Sequence, residues 1–259
     1  MTNDHLHNYL WRVLLPIRMY GRFIVNGTWN GDRTLCMTFD CDKGDDMEAV
    51  PRLLSLLREE SIPSGFALYG RLANRYPKVV EEILRSGHEI INHSFSHVSF
   101  RSLEFDQMKG EIMSFQEQMN EGFAYAVRGF RAPHLMWKYN HSLFRLLREN
   151  ALYDSSYVGS GVAIINGTVE IPLTACPQHP QVCFDFSHHF EFPLVRSSFG
   201  NYLRLWQRLL RNNYFVNIYL DPRLVMDGSL EKILRRIPKG WQFEKLGNVA
   251  RRLGSTVSQ

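Results

Sequence analysis

The chain has no long apolar run. No segment approaches the ~20 consecutive apolar residues that span a bilayer, so no transmembrane helix is expected. The first residues lack the basic start and apolar core of a secretory leader, and the expected location is the cytoplasm. Cysteine is scarce. Cys36, Cys41, Cys176 and Cys183 include no Cys-x-x-Cys pair, which argues against a structural zinc. Cys36 and Cys41 lie in or beside an apolar segment and read as reduced, buried thiols. Cys176 and Cys183 could pair, although nothing in the sequence compels it. An excess of one charge is missing too. The formal net charge of +4 is dispersed, unlike the clustered basic face of a nucleic-acid-binding domain, so no nucleic-acid partner is expected. Internal repeats, low-complexity tracts and an interdomain linker are also absent.

What is present suits one large α/β domain. The 259 residues are 44% hydrophobic, enough for a sizeable core, and the length is that of a single barrel of roughly 250 residues. Apolar, β-prone segments alternate with helical patterns almost throughout. Strands are expected near residues 33–39, 65–69, 88–92, 126–130, 152–157, 169–173 and 214–220, with helices near 46–60, 77–85, 105–119, 140–150, 199–212, 230–236 and 243–253. Met108, Ile112, Phe115 and Met119 fall at helical spacing and read as a core stripe. Strands separated by helices form βαβ units and a parallel sheet. Seven or so of them favour a closed or nearly closed barrel over an open sheet.

Residues 1–30 stand apart. Tyr9, Leu10, Trp11, Val13, Leu14, Leu15, Ile17, Met19 and Tyr20 are interleaved with Arg12, Arg18 and Arg22, and Pro16 interrupts the pattern. This extension is expected to pack on the barrel occupying residues 31–259, with peripheral contact to a membrane surface as the alternative.

The chemistry concentrates in two segments. Thr38-Phe39-Asp40-Cys41-Asp42 ends the first core strand. Gly87-His88-Glu89-Ile90-Ile91-Asn92-His93-Ser94-Phe95-Ser96-His97 follows some fifty residues later. Alternation along a strand sends Asp40 and Asp42 to one side and Cys41 to the other. A helical turn after Asn92 would put His93 and His97 on one face. Imidazoles and a carboxylate suit a borderline divalent ion, zinc above all, and three protein ligands leave a position open for chemistry. Asp40, Asp42, His93, Arg131, Asp154 and Asp221 all fall at or just after expected strand ends, where barrel enzymes collect catalytic groups. A two-histidine, one-carboxylate iron oxygenase shares the ligand types, but that triad usually sits on a β roll, not on alternating strands and helices.

These motifs resemble those of the polysaccharide deacetylase family (NodB-homology domain, carbohydrate esterase family 4) over about residues 34–254. Thr38 to Asp42 is similar to the family's first motif in its Asp-x-Asp variant. Gly87 to His97 is a close match to the second, Arg131-Ala132-Pro133 resembles the third, and Asp154-Ser155-Ser156-Tyr157 resembles the fourth. The resemblance implies a distorted (β/α)7-type barrel and metal-dependent removal of an N-acyl group from an amino sugar, in a glycan or a lipid-linked sugar. It implies that Asp42, His93 and His97 hold the metal, most simply Zn²⁺, and that Asp40 is the general base. Arg131 would pair with Asp40, the N–H of His134 would help stabilise an oxyanion, and Asp154 would support Arg131 or the pocket wall. One motif departs from the family. Asp221 stands in Asn217-Ile218-Tyr219-Leu220-Asp221-Pro222 where a proton-donating histidine is usual. An ordinary aspartate is ionised at neutral pH and cannot donate a proton. His134, His188 and His189 are the other candidates for that role, and a non-catalytic or weakly active carbohydrate-binding relative is the alternative reading. Trp137 is a candidate to stack on a sugar ring.

Overall fold

A computed structural model describes residues 24–135, 140–190 and 197–257. Most of the N-terminal extension, and Trp137, lie outside the described residues. In chain order the strands are β1 (Ile24–Asn26), β2 (Thr34–Cys41), β3 (Gly65–Leu68), β4 (Glu89–Asn92), β5 (Gly129–Phe130), β6 (Tyr153–Asp154), β7 (Val158–Ser160), β8 (Ala163–Ile165), β9 (Thr168–Glu170), β10 (Leu173–Thr174), β11 (Phe215–Leu220) and β12 (Gln242–Phe243). The helices are α1 (Gly44–Glu59), α2 (Gly70–Arg75), α3 (Pro77–Arg85), α4 (Phe105–Phe123), α5 (His141–Glu149), α6 (Phe186–Phe190), α7 (Phe199–Asn212), α8 (Pro222–Val225), α9 (Ser229–Leu234) and α10 (Leu246–Val257).

The main sheet runs β11-β2-β3-β4-β5-β6-β9-β8. Every neighbouring pair is parallel except the last, where β8 folds back on β9. Next to the edge strand β11, β2 is buried along its whole length, which is why it reads as a continuous apolar run. A second, three-stranded sheet sets β7 between β1 and β10, so residues from Ile24 onward belong to the barrel's own structure. Among the described residues, no ladder joins the β9–β10 stretch to β11. Asn217 bridges the gap with its own bonds: its N–H donates to Thr174 Oγ1 at 2.9 Å, and Nδ2 donates to the carbonyls of Ile171 (3.0 Å) and Pro172 (3.3 Å). The barrel is therefore curled and parallel but distorted, closed at one seam by a side chain.

Outer helices bury one face each on this sheet. On α1 that face is Met47, Val50, Leu53, Leu54 and Leu57, while Leu56 is only partly buried. On α4 it is the stripe Met108, Ile112, Phe115 and Met119. Helix α3 stops where Gly87 takes the left-handed conformation (φ +77°), which releases the chain into β4. All four cysteines are buried and none is in a disulfide, so Cys176 and Cys183 do not pair. Among the described residues, no helix is long and apolar enough to cross a membrane.

One expectation of local structure fails. Residues 93–99 are not helical, and the chain leaves β4 as a loop with Ser94 (φ 68°) and His97 (φ 59°) in the left-handed region. Side chains hold this loop from both sides. The N–H of Ser94 donates to Asn92 Oδ1 (2.9 Å), and that of His97 donates to Ser94 Oγ (2.9 Å). Glu111 of α4 accepts from the N–H groups of Phe95 and Ser96 at 3.0 and 2.7 Å, and from the Ser96 hydroxyl.

Candidate metal centre

The parallel strands end at one mouth of the barrel, and their C-terminal ends deliver the polar groups. Asp40 is on β2 and Asp42 just beyond its end. His93 follows β4, Arg131 follows β5, Asp154 ends β6 and Asp221 follows β11. Cys41, between the two aspartates, turns into the hydrophobic core.

Asp42, His93 and His97 converge. Asp42 Oδ1 lies 3.4 Å from His93 Nε2 and 3.1 Å from His97 Nε2, and one ligand atom from each lies within 4.8 Å of the others. Burial would raise Asp42, but the two histidines beside it hold its carboxyl well below the ordinary range. Asp42 Oδ1 and His97 Nε2 are buried side-chain atoms without a hydrogen-bond partner, both aimed into the same small space. One carboxylate and two imidazoles match the donor set of a catalytic zinc site. The residues present therefore fit a divalent metal.

The surroundings orient these ligands. His93 Nδ1 lies 2.8 Å from the carbonyl of Arg131, a contact in which Nδ1–H donates and Nε2 is left as the ligand atom. The His97 ring stacks on Tyr69 at 5.1 Å between centroids. Two main-chain groups at the Asp42 turn, the N–H of Asp42 and of Lys43, donate to Asp46 Oδ2 at 3.1 and 3.0 Å. Asp46 also holds Arg223 Nη1 through both oxygens, at 2.9 and 2.8 Å.

Beside the ligand set, Asp40 is nearly enclosed. Arg131, fully buried, donates from Nη1 to Asp40 Oδ1 at 2.5 Å and to Thr38 Oγ1 at 2.9 Å. Its other nitrogens are held by Ser155, Nε by the carbonyl (3.1 Å) and Nη2 by the hydroxyl (3.1 Å). Ser155 is tied in turn to Asn217 Nδ2 at 3.0 Å.

Asp154 is not among the hydrogen-bond partners of Arg131. Its Oδ1 accepts from the Ser156 hydroxyl at 2.5 Å, and Glu170, also fully buried, is its neighbour. Burial pushes Asp154 up to about 6 and Glu170 well above the ordinary range, as expected of two acids that cannot both ionise. His134 is exposed at the rim, with its ring centroid 4.5 Å from that of His97, and it takes the left-handed conformation (φ 58°). Asp221 is buried beneath the rim, with Oδ2 3.7 Å from Arg223 Nη2. His189 is buried away from the ligand set, its ring among Phe184, Phe190 and Tyr202. The side chain of His188 lies outside the described residues.

Sequence reasoning passed over Thr38, Ser155 and Asn217 although all three stand inside quoted segments, and it passed over Asp46, Glu111 and Glu170 entirely. Only Asp46 carried a local signal, an acid in the first turn of α1.

The fold and this mouth define an α/β barrel that brings together one carboxylate and two imidazoles able to hold a metal. Residues 29–152 match the family profile described as Polysaccharide deacetylase. Among curated relatives, a peptidoglycan-N-acetylglucosamine deacetylase of Bacillus cereus is 31% identical over 100 residues, 39% of this chain and 36% of that protein. A chitooligosaccharide deacetylase of Azorhizobium caulinodans is 32% identical over 108 residues, 40% of this chain and 49% of that protein. The matches thus span half or less of these relatives' lengths. A crystal structure from Mycobacterium smegmatis, itself described as a proposed polysaccharide deacetylase, superposes with a TM-score of 0.72 at 18% identity, covering 91% of this chain and 96% of that one. At that identity it shows the shared fold.

Proposed function

We propose that the protein is a metal-dependent hydrolase that removes an N-acyl group, acetyl in the simplest case, from an amino sugar in a glycan or a lipid-linked sugar. The observation that carries this reading is the convergence of Asp42, His93 and His97 beside the enclosed Asp40–Arg131 pair. A divalent metal, most simply Zn²⁺, would polarise the acyl carbonyl and acidify water there. Asp40 takes the proton from the attacking water, and Arg131 holds that carboxylate in place through Nη1. The His134 N–H donates to the developing oxyanion. Asp154, bound to Ser156 and Glu170, supports the pocket wall from below. The substrate class follows the relatives named above, which are deacetylases of N-acetylated sugar polymers.

A second reading is favoured by one observation. The residue that follows β11 is Asp221 beside Arg223, a carboxyl group where the resemblance expects a proton-donating histidine. That supports a weakly active or non-catalytic carbohydrate-binding relative. Metal analysis combined with acetate and formate release from a panel of N-acylated sugars, lipid-linked ones included, separates the two. Stoichiometric zinc with acyl release supports the hydrolase. Saccharide binding with no release supports the second reading, and an absence of bound metal overturns the first.

A further inference from the structure

A cleft of about 540 Å³ opens at the end of the barrel opposite the metal centre. Its walls come from the starts of the parallel strands. Glu89 opens β4, Arg128 immediately precedes β5 and Tyr153 opens β6. Arg148 reaches in from α5, with Lys245 and Arg251 from the start and first turns of α10. The volume is that of a small-molecule site.

Its charge is lopsided. Arg128, Arg148 and Arg251 make no ion pair or side-chain hydrogen bond among the described residues, and Lys245 Nζ donates to the Gly87 carbonyl at 3.0 Å. The whole chain carries a formal charge of only +4, so four cations around one cleft is not a consequence of composition. The single acid there, Glu89, is already engaged. It accepts from the Tyr153 hydroxyl and from the N–H of Gly247, each at 3.0 Å, and its burial favours the protonated form. Gly247 makes that approach possible, since a Cβ there would lie 2.6 Å from Glu89 Oε1. Like charges gathered without a counterion repel one another. The Gly247 amide and the positive end of α10 add to the same potential.

We propose that this cleft is a second ligand site, for a small organic molecule carrying two or more phosphate groups, separate from the reaction centre. Guanidinium forks match phosphate oxygens in pairs, and several phosphates in a small volume satisfy several cations at once. The Tyr125 and Tyr153 rings supply a wall for the organic part. The cations surround a recess instead of standing on a flat face, which favours a soluble ligand over a lipid surface.

The test uses fructose 1,6-bisphosphate as probe, with calorimetry and thermal melts on the zinc-loaded full chain. Saturable binding and a rise in Tm of about 5 °C at a hundredfold excess over Kd are expected. R128E/R251E, which alters two exposed side chains, is expected to weaken binding at least tenfold while leaving the probe-free Tm unchanged. His93→Ala, which empties the metal centre, is expected to bind the probe as the parent does. No binding at millimolar probe overturns the proposal. So does equal affinity in R128E/R251E, and so does loss of binding in His93→Ala, which would put the ligand at the metal. Sedimentation with phosphatidylglycerol vesicles through Arg128 and Arg251, without bisphosphate binding, overturns it in favour of a lipid surface.

Discussion

Asp40 and Asp42 stand two residues apart and live in different electrostatic worlds. Asp40 is clamped by a buried guanidinium, whereas Asp42 faces two imidazoles. Their replacements should therefore separate. Asp40→Asn is expected to keep zinc while acyl release falls ~10²–10⁴-fold, the usual worth of a positioned base. Asp42→Ala and His93→Ala are expected to lose both zinc and activity. Zinc per chain and acetate release, measured on the same samples, decide it, and an Asp40→Asn enzyme as active as the parent removes Asp40 from the role of base. Asp46 belongs to the same scale. It is fully buried, holds two main-chain N–H groups at the Asp42 turn and neutralises Arg223. Asp46→Ala leaves Arg223 without that partner and frees the turn. The expected outcome is a loss of about 3 kcal/mol in stability, at the lower end for a broken buried pair, with zinc affinity down ~10–100-fold as for lost outer-shell contacts. A competition titration against a chelator, run beside denaturant unfolding, reads both. Unchanged zinc affinity would mean that Asp46 serves stability alone.

At the scale of elements, the sequence was readable wherever one face met one core. Helix α7 runs over Phe199–Asn212 as its periodicity predicts, and α3 begins at Pro77 and ends before Gly87. Strand β2 is buried on all sides and reads as an unbroken apolar run. Reading failed where a distant side chain replaced a backbone partner. The i, i+4 spacing of His93 and His97 suits a helix, yet the amides after His93 are taken by Glu111, some fifteen residues along the chain on α4. No local pattern announces that. The strand expected at 152–157 is limited to Tyr153–Asp154, and the one expected at 169–173 is split between β9 and β10, where Asn217 takes the carbonyls of Ile171 and Pro172. The convergence of Asp42, His93 and His97 was thus legible from residue type and order, and the backbone that achieves it was not. Glu111→Gln tests this account. Charge-assisted bonds to the Phe95 and Ser96 amides become neutral ones, a difference of about 1 kcal/mol. Faster amide exchange confined to the 93–99 loop is expected, with weaker zinc retention and little change at β2. Uniform exchange across the barrel would show instead that Glu111 acts on global stability.

Across the whole molecule, the barrel interior carries more acid than its surroundings neutralise. Asp154, Glu170 and Glu89 are all buried, and burial raises each of them, Asp154 to about 6. A carboxyl raised on folding binds its proton more tightly in the native state than in the unfolded chain. Its contribution is fully present below the ordinary carboxyl value near 4 and is lost as pH climbs through the folded value. Stability should therefore decline from about pH 5 towards pH 8, opposite to a protein dominated by salt-bridged carboxylates. Glu170→Gln removes one charge from the coupled pair and keeps a group able to donate to Asp154. With zinc held at the same saturating level in both proteins, metal-linked proton effects are common to the two and cancel in the comparison. The variant is expected to lose less stability than the parent over that interval and to melt a few degrees higher at pH 8. Parallel curves of Tm against pH would mean that Glu170 is not where the proton sits. The same pair lies one strand step below Ser155, which holds Arg131, which holds Asp40. A barrel that keeps two buried acids beneath Arg131 gives up some stability at high pH to hold Asp40 in place at the mouth.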